Sequence, residues 1–223
     1  MVRLYAANIK ELPNPMENSM LLDVISNERK QKIIKYLKVQ DKKRCLGAGL
    51  LLNKVLPLYG VLPNAVRIRE DGKPELDGVF FNLSHSGNIV ICAVSKKEVG
   101  CDIEKIEKAP EGVAERFFCP KETAYIQAAM ESERDSRFFR IWTMKESYVK
   151  MTGEGMNLSF ECFEFLLDSK NIKVCRKGNM LSCHIMEYDI PGYKTTVCAE
   201  EGDFLGKVEY IDIVKQFENN KIR

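Results

Sequence analysis

The chain is expected to fold as an α+β protein, with two similar-sized lobes meeting near residue 100. Three observations carry this. Helical runs and short β-rich runs both occur in each half of the sequence. The β-rich runs of the second half alternate and are close together, which suits an antiparallel sheet better than βαβ units. Finally, 223 residues with 45% hydrophobic and 30% charged content make an ordinary globular composition, enough for one large domain or two small ones.

The elements follow in order. Residues 3–9 read as an opening strand. Residues 20–37 form a helical region, with Ser26 or Asn27 placed to cap it before Glu28. Asp41 is in position to cap a second helix toward residue 58, ended by Gly60 and Pro63. A short strand over 66–69 leads into a turn at 70–74. Strands over 79–83 and 89–94 flank a polar turn, Ser84-His85-Ser86-Gly87-Asn88, and another short strand covers 99–103. Helices are expected over 111–118, 120–129 and 136–152, the last stopped by Gly153. Strands then follow over 160–167, 172–175, 181–188, 194–199 and 207–213, with no internal repeat.

Charge and composition exclude several functions. The chain carries 34 basic and 32 acidic residues, a net +2, too balanced for a dedicated nucleic-acid binder. No apolar run follows a basic start as in a secretory signal, and none reaches the ~20 residues that span a bilayer. A cytoplasmic protein without a membrane partner is expected. The eight cysteines include no CxxC pair, so they are expected to be reduced and to pack as small hydrophobes.

Four constellations can carry chemistry. Residues 29–44 hold eight bases and one acid. Arg29, Lys32 and Lys35 share a helix face there. Such a run serves either as a solvated face or as a site for a phosphate-rich ligand or acidic partner. In Gly100-Cys101-Asp102-Ile103-Glu104, strand alternation sends Cys101 and Ile103 inward and projects Asp102 and Glu104 together. Two such carboxylates are either an exposed acidic strand end, outside the core, or an oxygen site suited to Mg²⁺ or Mn²⁺. On the long helix, Phe138, Ile141, Tyr148 and Val149 follow core spacing, and Trp142, Glu146 and Lys150 line a neighbouring stripe. Glu146 and Lys150 also have the spacing of a plain helix ion pair. Finally, Asn82-Leu-Ser84-His85-Ser86-Gly87 is a poor hydrolase pair, since adjacent strand residues face opposite ways. It suits a polar turn offering hydroxyls, amides and an imidazole to phosphate, with Lys73 of Gly72-Lys73-Pro74 as a further cation. His184, the other histidine, is expected to be structural. Together these are the parts of a metal-assisted transfer involving a pyrophosphate.

In order and spacing, Phe81-Asn-Leu-Ser-His-Ser-Gly87, Val99-Gly-Cys-Asp-Ile-Glu104 and Phe139-Arg-Ile-Trp-Thr-Met-Lys-Glu-Ser-Tyr-Val-Lys150 followed by Gly153-x-Gly155 resemble the Sfp-type 4′-phosphopantetheinyl transferases. The Gly72-Lys-Pro74 turn and Arg44 fit the same pattern, and the similar region covers about residues 20–165. The resemblance implies two pseudo-symmetric α+β lobes in one chain, residues 1–100 and 101–223, with the active site in the cleft between them. It implies transfer of the phosphopantetheine arm of coenzyme A to a serine of an apo carrier protein, with release of adenosine 3′,5′-bisphosphate. By position, Asp102, Glu104 and Glu146 resemble the Mg²⁺ ligands, with Mn²⁺ as a possible substitute. Arg44, Lys73, Ser84 and His85 resemble coenzyme A contacts, as do Arg29 and Lys32 for its 3′-phosphate. Lys150 resembles the lysine that meets the pyrophosphate. Glu146, Lys150 and His85 are thereby the expected catalytic residues, and the enzyme is expected to work as a monomer. A catalytically silent module that binds coenzyme A or a carrier protein is the alternative, and a hydrolase using Ser84 and His85 a distant third.

Overall fold

The structure, a computed structural model, describes residues 1–18, 20–68, 74–167 and 172–215. Its architecture is α+β, in two lobes that follow the same path. In the first, strand β1 (Val2–Asn8) leads to helices α1 (Met20–Asp23), α2 (Asn27–Lys35) and α3 (Val39–Val55). A small ribbon of β2 (Arg67–Ile68) and β3 (Pro74–Glu75) precedes the hairpin β4 (Phe80–Ser86) and β5 (Ile89–Ser95). β5 lies between β1 and β4, antiparallel to both.

The second lobe repeats the scheme. Strand β6 (Val99–Lys105) leads to α4 (Val113–Phe117), α5 (Pro120–Gln127) and α6 (Glu131–Thr152). A separate meander of β7 (Phe163–Leu167), β8 (Ile172–Arg176) and β9 (Asn179–Met180) intervenes. The strands β10 (His184–Glu187) and β11 (Tyr193–Ala199) then close the sheet, with β11 antiparallel to both β6 and β10. In each lobe the first strand pairs with the last strand of the returning pair, which is the pseudo-symmetry of the fold. A final strand, β12 (Phe204–Tyr210), crosses back to run parallel to β1.

Alternation along β5 explains the layering. Val90, Cys92 and Val94 face α3, and Ile89, Ile91 and Ala93 face the second lobe. That second face packs on Val99, Cys101 and Ile103 of β6 and on Val197 and Ala199 of β11. Both faces of β5 are buried, which is why it reads as an unbroken apolar run. A third core gathers Phe138, Ile141, Met144 and Tyr148 of α6 with Phe163 and Phe165 of β7.

Several boundaries differ from those the sequence predicts. Ser84, His85 and Ser86 belong to β4, and the turn is Gly87-Asn88 alone. Gly87 has φ +53°, as the first central residue of a two-residue hairpin favours. Asp41 does not cap α3. Lys38 takes the N-cap position without a side-chain cap, and Asp41 sits in the first turn and pairs with Arg44. Ser26, rather than Asn27, caps α2 and accepts from the Arg29 amide. Helix α6 begins at Glu131, where Glu131 and Glu133 suit the positive end of the helix dipole. The last strand is set by its pairing of Phe204 with Val2 and ends at Tyr210. The expected turn at 70–74 lies largely outside the described residues. All eight cysteines are free thiols, and Cys162 is exposed in a 3-10 turn, not a strand. Among the described residues no helix is long and apolar enough to cross a membrane.

Candidate active site

Strands β4 and β6 belong to different sheets, yet their side chains interlock at the lobe seam. Asn82, Ser84 and Ser86 lie on one face of β4 by the period of two. Asn82 accepts from the Cys101 amide at 3.0 Å. Ser84 donates to Asp102 Oδ1 at 2.8 Å, and Ser86 donates to Glu104 Oε2 at 2.8 Å. Ser86 Oγ also accepts from the Lys105 amide at 3.1 Å. Side chains thus satisfy β6 where a neighbouring strand would otherwise do so.

Helix α6 closes the seam from the other side. Lys150 donates to Asp102 Oδ1 at 2.6 Å and to Ser84 Oγ at 3.2 Å. The Glu146–Lys150 spacing of a helix ion pair is therefore not used as one, and no hydrogen bond or ion pair of the described residues engages the Glu146 carboxylate. Asp102 is 2% exposed, not the open strand end that Asp-x-Glu also fits. Its second oxygen, Oδ2, is buried without a partner.

The electrostatics tie the three carboxylates together. Burial, then the Asp102 charge, pushes Glu104 up to about 7. Burial also holds Glu146 above the usual carboxylate range. For Lys150 burial opposes the charge, but Asp102 outweighs it and the ammonium is held more firmly than usual. Among the described residues no three His, Cys, Asp or Glu side chains stand ready to hold a metal ion. Asp102 and Glu104 are already occupied by Lys150 and the two serines. The orphaned Oδ2 and an all-oxygen donor set nevertheless fit Mg²⁺ or Mn²⁺.

On the opposite face of β4, His85 is exposed at the rim. Loss of hydration lowers its pKa, and the Arg44, Lys150 and Arg29 charges add to this. Arg44 reaches the rim from α3, donating from Nε to the Gly87 carbonyl at 3.1 Å. Gln40, which the sequence pattern does not single out, donates to the same carbonyl and to Asn88 Oδ1. Tyr193 holds the turn from the second lobe through the Asn88 amide. Lys32 forms a helix pair with Glu28, and Arg29 packs its stem over Gly49. Both line a cleft of about 730 Å³ between α2 and α3 that none of Ser84, Asp102 and Lys150 enters. Lys73 lies outside the described residues.

Two members of the polar motif, Asn82 and Ser86, hold the site from within β4, and a third side chain, Lys145, does not stand out in the sequence. Ser86 and Asn82 share the alternation of Ser84, which is the signal that could find them. Lys145, beside Glu146, is fully buried and bonded to Glu122 at 2.8 Å. Its signal is its place on the core stripe between Ile141 and Tyr148.

A hydroxyl and an ammonium on Asp102, with Glu104 and Glu146 within reach of its charge and an arginine and histidine rim alongside, make a candidate site for a polyanionic substrate. Comparison with known proteins narrows this. Residues 98–198 match the model of the 4′-phosphopantetheinyl transferase superfamily, and residues 12–97 that of the 4′-phosphopantetheinyl transferase N-terminal region. A 4′-phosphopantetheinyl transferase of Bacillus subtilis is 31% identical over 216 residues, 93% of this chain and 96% of that one. The transferase gsp of Aneurinibacillus migulanus is 32% identical over 197 residues, 85% of this chain and 83% of that one. Among solved structures, the holo-[acyl-carrier-protein] synthase of Thermotoga maritima aligns with 48% of this chain and 64% of its own, at 23% identity and a TM-score of 0.40. The chain belongs to the 4′-phosphopantetheinyl transferase superfamily.

Proposed function

We propose that the chain moves the phosphopantetheine arm of coenzyme A to a serine of an apo carrier protein at the Ser84–Asp102–Lys150 seam. Residues 1–100 supply the anion-binding rim and 101–223 the carboxylates. The single observation that carries the siting is the buried, unpartnered Oδ2 of Asp102, whose charge also acts on Glu104 and Glu146. Asp102, Glu104 and Glu146 would hold Mg²⁺, which when bound neutralises pyrophosphate charge and fixes the in-line geometry.

The chain's own groups supply the rest. Arg44 and His85, with Arg29 and Lys32 beyond them, receive the 3′-phosphate end of coenzyme A. Lys73 is assigned to the same substrate. Ser84 holds Asp102 and faces the pyrophosphate. The acceptor serine oxygen bonds to the β-phosphorus as the bond to the bridging oxygen breaks, and adenosine 3′,5′-bisphosphate leaves. Glu146, half-buried and without a hydrogen bond among the described residues, takes the serine proton. Lys150 stabilises charge on the leaving phosphate. The free thiols fit a reducing cytoplasm, and the reading needs one copy of the chain.

The test is mass spectrometry of an apo carrier protein after incubation with the enzyme, coenzyme A and Mg²⁺. The expected result is one added phosphopantetheine, absent when the carrier serine is alanine and when EDTA is in excess. Full transfer in excess EDTA would overturn the metal assignment. An unmodified carrier would favour the silent binding module.

A further inference from the structure

Lys150 stands where the site needs a cation. Its ammonium and the Ser84 hydroxyl both contact Oδ1 of a carboxylate that is almost wholly removed from water. Without Lys150, Asp102 would be a buried charge with one hydroxyl for company, an arrangement proteins avoid. Lys150 itself is not locked in. Its side chain is 29% exposed, it lies one turn from the helix end at Gly153, and among the described residues Glu146 forms no ion pair with it.

We propose that Lys150 is the resident counter-ion of the free site, that it competes with divalent metal for Asp102, and that the pyrophosphate of coenzyme A draws it away, so that substrate and metal bind cooperatively. This rests on the transferase reading above. In the free protein Asp102 is engaged with Lys150 and Ser84 and Glu104 with Ser86, and no three of the described metal-ligating side chains stand ready for an ion. A divalent cation arriving at Asp102 meets an ammonium already hydrogen-bonded to the same carboxylate. A diphosphate gives Lys150 a second anionic acceptor and leaves Asp102 to the metal. The coupling is reciprocal: the factor by which coenzyme A tightens metal binding equals the factor by which metal tightens coenzyme A.

The experiment measures Mn²⁺ binding by electron paramagnetic resonance, corrected with enzyme-free coenzyme A. Wild type, Lys150→Met, Lys150→Gln and Lys150→Arg are compared alone, with coenzyme A, and with adenosine 3′-monophosphate, which lacks the pyrophosphate. Wild type and Lys150→Arg should bind Mn²⁺ weakly alone. Wild type should tighten roughly tenfold or more with coenzyme A and not with adenosine 3′-monophosphate. The neutral variants should bind Mn²⁺ alone roughly tenfold or more tightly than wild type. They should also melt at a lower temperature than wild type without metal and recover with Mn²⁺. If Lys150→Met does not fold, Lys150→Gln, which keeps a neutral hydrogen-bond donor, carries the test. Mn²⁺ binding to wild type with coenzyme A but no gain in the folded neutral variant would overturn this inference alone. Absence of Mn²⁺ binding in every combination would overturn the metal reading beneath it.

Discussion

Gly100 lies so close under Ser147 that a β-carbon on the glycine would overlap the Ser147 carbonyl oxygen. The Met151 amide nitrogen is crowded in the same way. Helix α6 therefore crosses β6 backbone to backbone, and this contact sets Lys150 at hydrogen-bond distance from Asp102.

Gly100→Ala should consequently damage both stability and activity. The obstacle is helix backbone, which cannot rotate aside as a side chain would. Overpacking of this kind costs about 1–3 kcal/mol or more. Urea unfolding should show that loss. Residual folded enzyme should have a lower kcat, because α6 and its Glu146 and Lys150 are lifted from β6. Unchanged kcat in the folded variant would show that the site tolerates the displacement.

Lys145 and Glu122 make a second, structural pin. Lys145 is 0% exposed and also donates to the carbonyls of Phe160 and Phe163. Glu122 accepts from the amides of Cys119 and Phe165. Lys145→Met keeps the packed stem but leaves a carboxylate and two carbonyls without their donor. It should cost roughly 3–5 kcal/mol. Glu122→Leu should cost at least as much, since it orphans two amides besides the ammonium. Denaturant midpoints of the two variants check the order, and an ordinary surface-pair loss for Lys145→Met would contradict it.

The seam is partly legible in the amino-acid sequence. Alternation alone separates Asp102 and Glu104 from the buried Cys101 and Ile103. The same rule applies to Asn82, Ser84 and Ser86, but three polar residues before a glycine look like a turn. They remain in the strand by pairing with β5, and their side-chain partners, 18 or 19 residues later on β6, exist only after the lobes meet. The choice of Lys150 between Glu146, one turn away, and Asp102, 48 residues away, is tertiary in the same sense. No helix periodicity distinguishes a lysine paired along its own helix from one reaching across a seam.

Alkaline pH should unfold the protein. Burial pushes the Tyr188 phenol from 10.0 up to about 12, with its hydroxyl donating to the Leu205 carbonyl. Burial pushes the Cys119 thiol from 9.0 up to about 11. In both the folded pKa lies above the unfolded one, so the folded state holds its proton longer. Their contribution is full below the unfolded pKa and is lost as pH rises through the folded one. The window is thus pH 9–11 for Cys119 and 10–12 for Tyr188. Tyr188→Phe should flatten the fall between pH 10 and 12 by roughly 2–3 kcal/mol, read from urea unfolding at each pH. An unaltered slope would mean the phenol titrates as in the unfolded chain.

Arg44→Ala should raise the KM for coenzyme A more than it lowers kcat, because the 3′-phosphate is remote from the bond that breaks. Arg44 also braces the Gly87 carbonyl, so some general loss is expected from the loosened turn. The dephospho substrate separates the two effects. With 3′-dephospho-coenzyme A the KM penalty should nearly vanish and only the turn effect remain. An equal penalty with both substrates would remove Arg44 from the phosphate site.

Glu146 gives the sharpest test of the chemistry. Among the described residues it makes no ion pair or hydrogen bond, and only the Lys150 charge attracts it, so Glu146→Gln should lower the melting temperature only slightly. The amide keeps the size of the side chain but loses the charge, the metal affinity and the ability to accept a proton. Turnover should fall roughly 10²-fold or more, as for loss of a general base or ligand. Asp102→Ala is a useful contrast. It also abolishes transfer, but it strips Lys150 and Ser84 of a buried acceptor and should cost about 1–3 kcal/mol of stability besides. Two variants with equal loss of activity are thereby told apart by their unfolding curves, the one acting on the reaction and the other also on the seam. Near-normal kcat in a folded Glu146→Gln enzyme would exclude this carboxylate as base and as ligand, and leave Asp102 and Glu104 to carry the metal site.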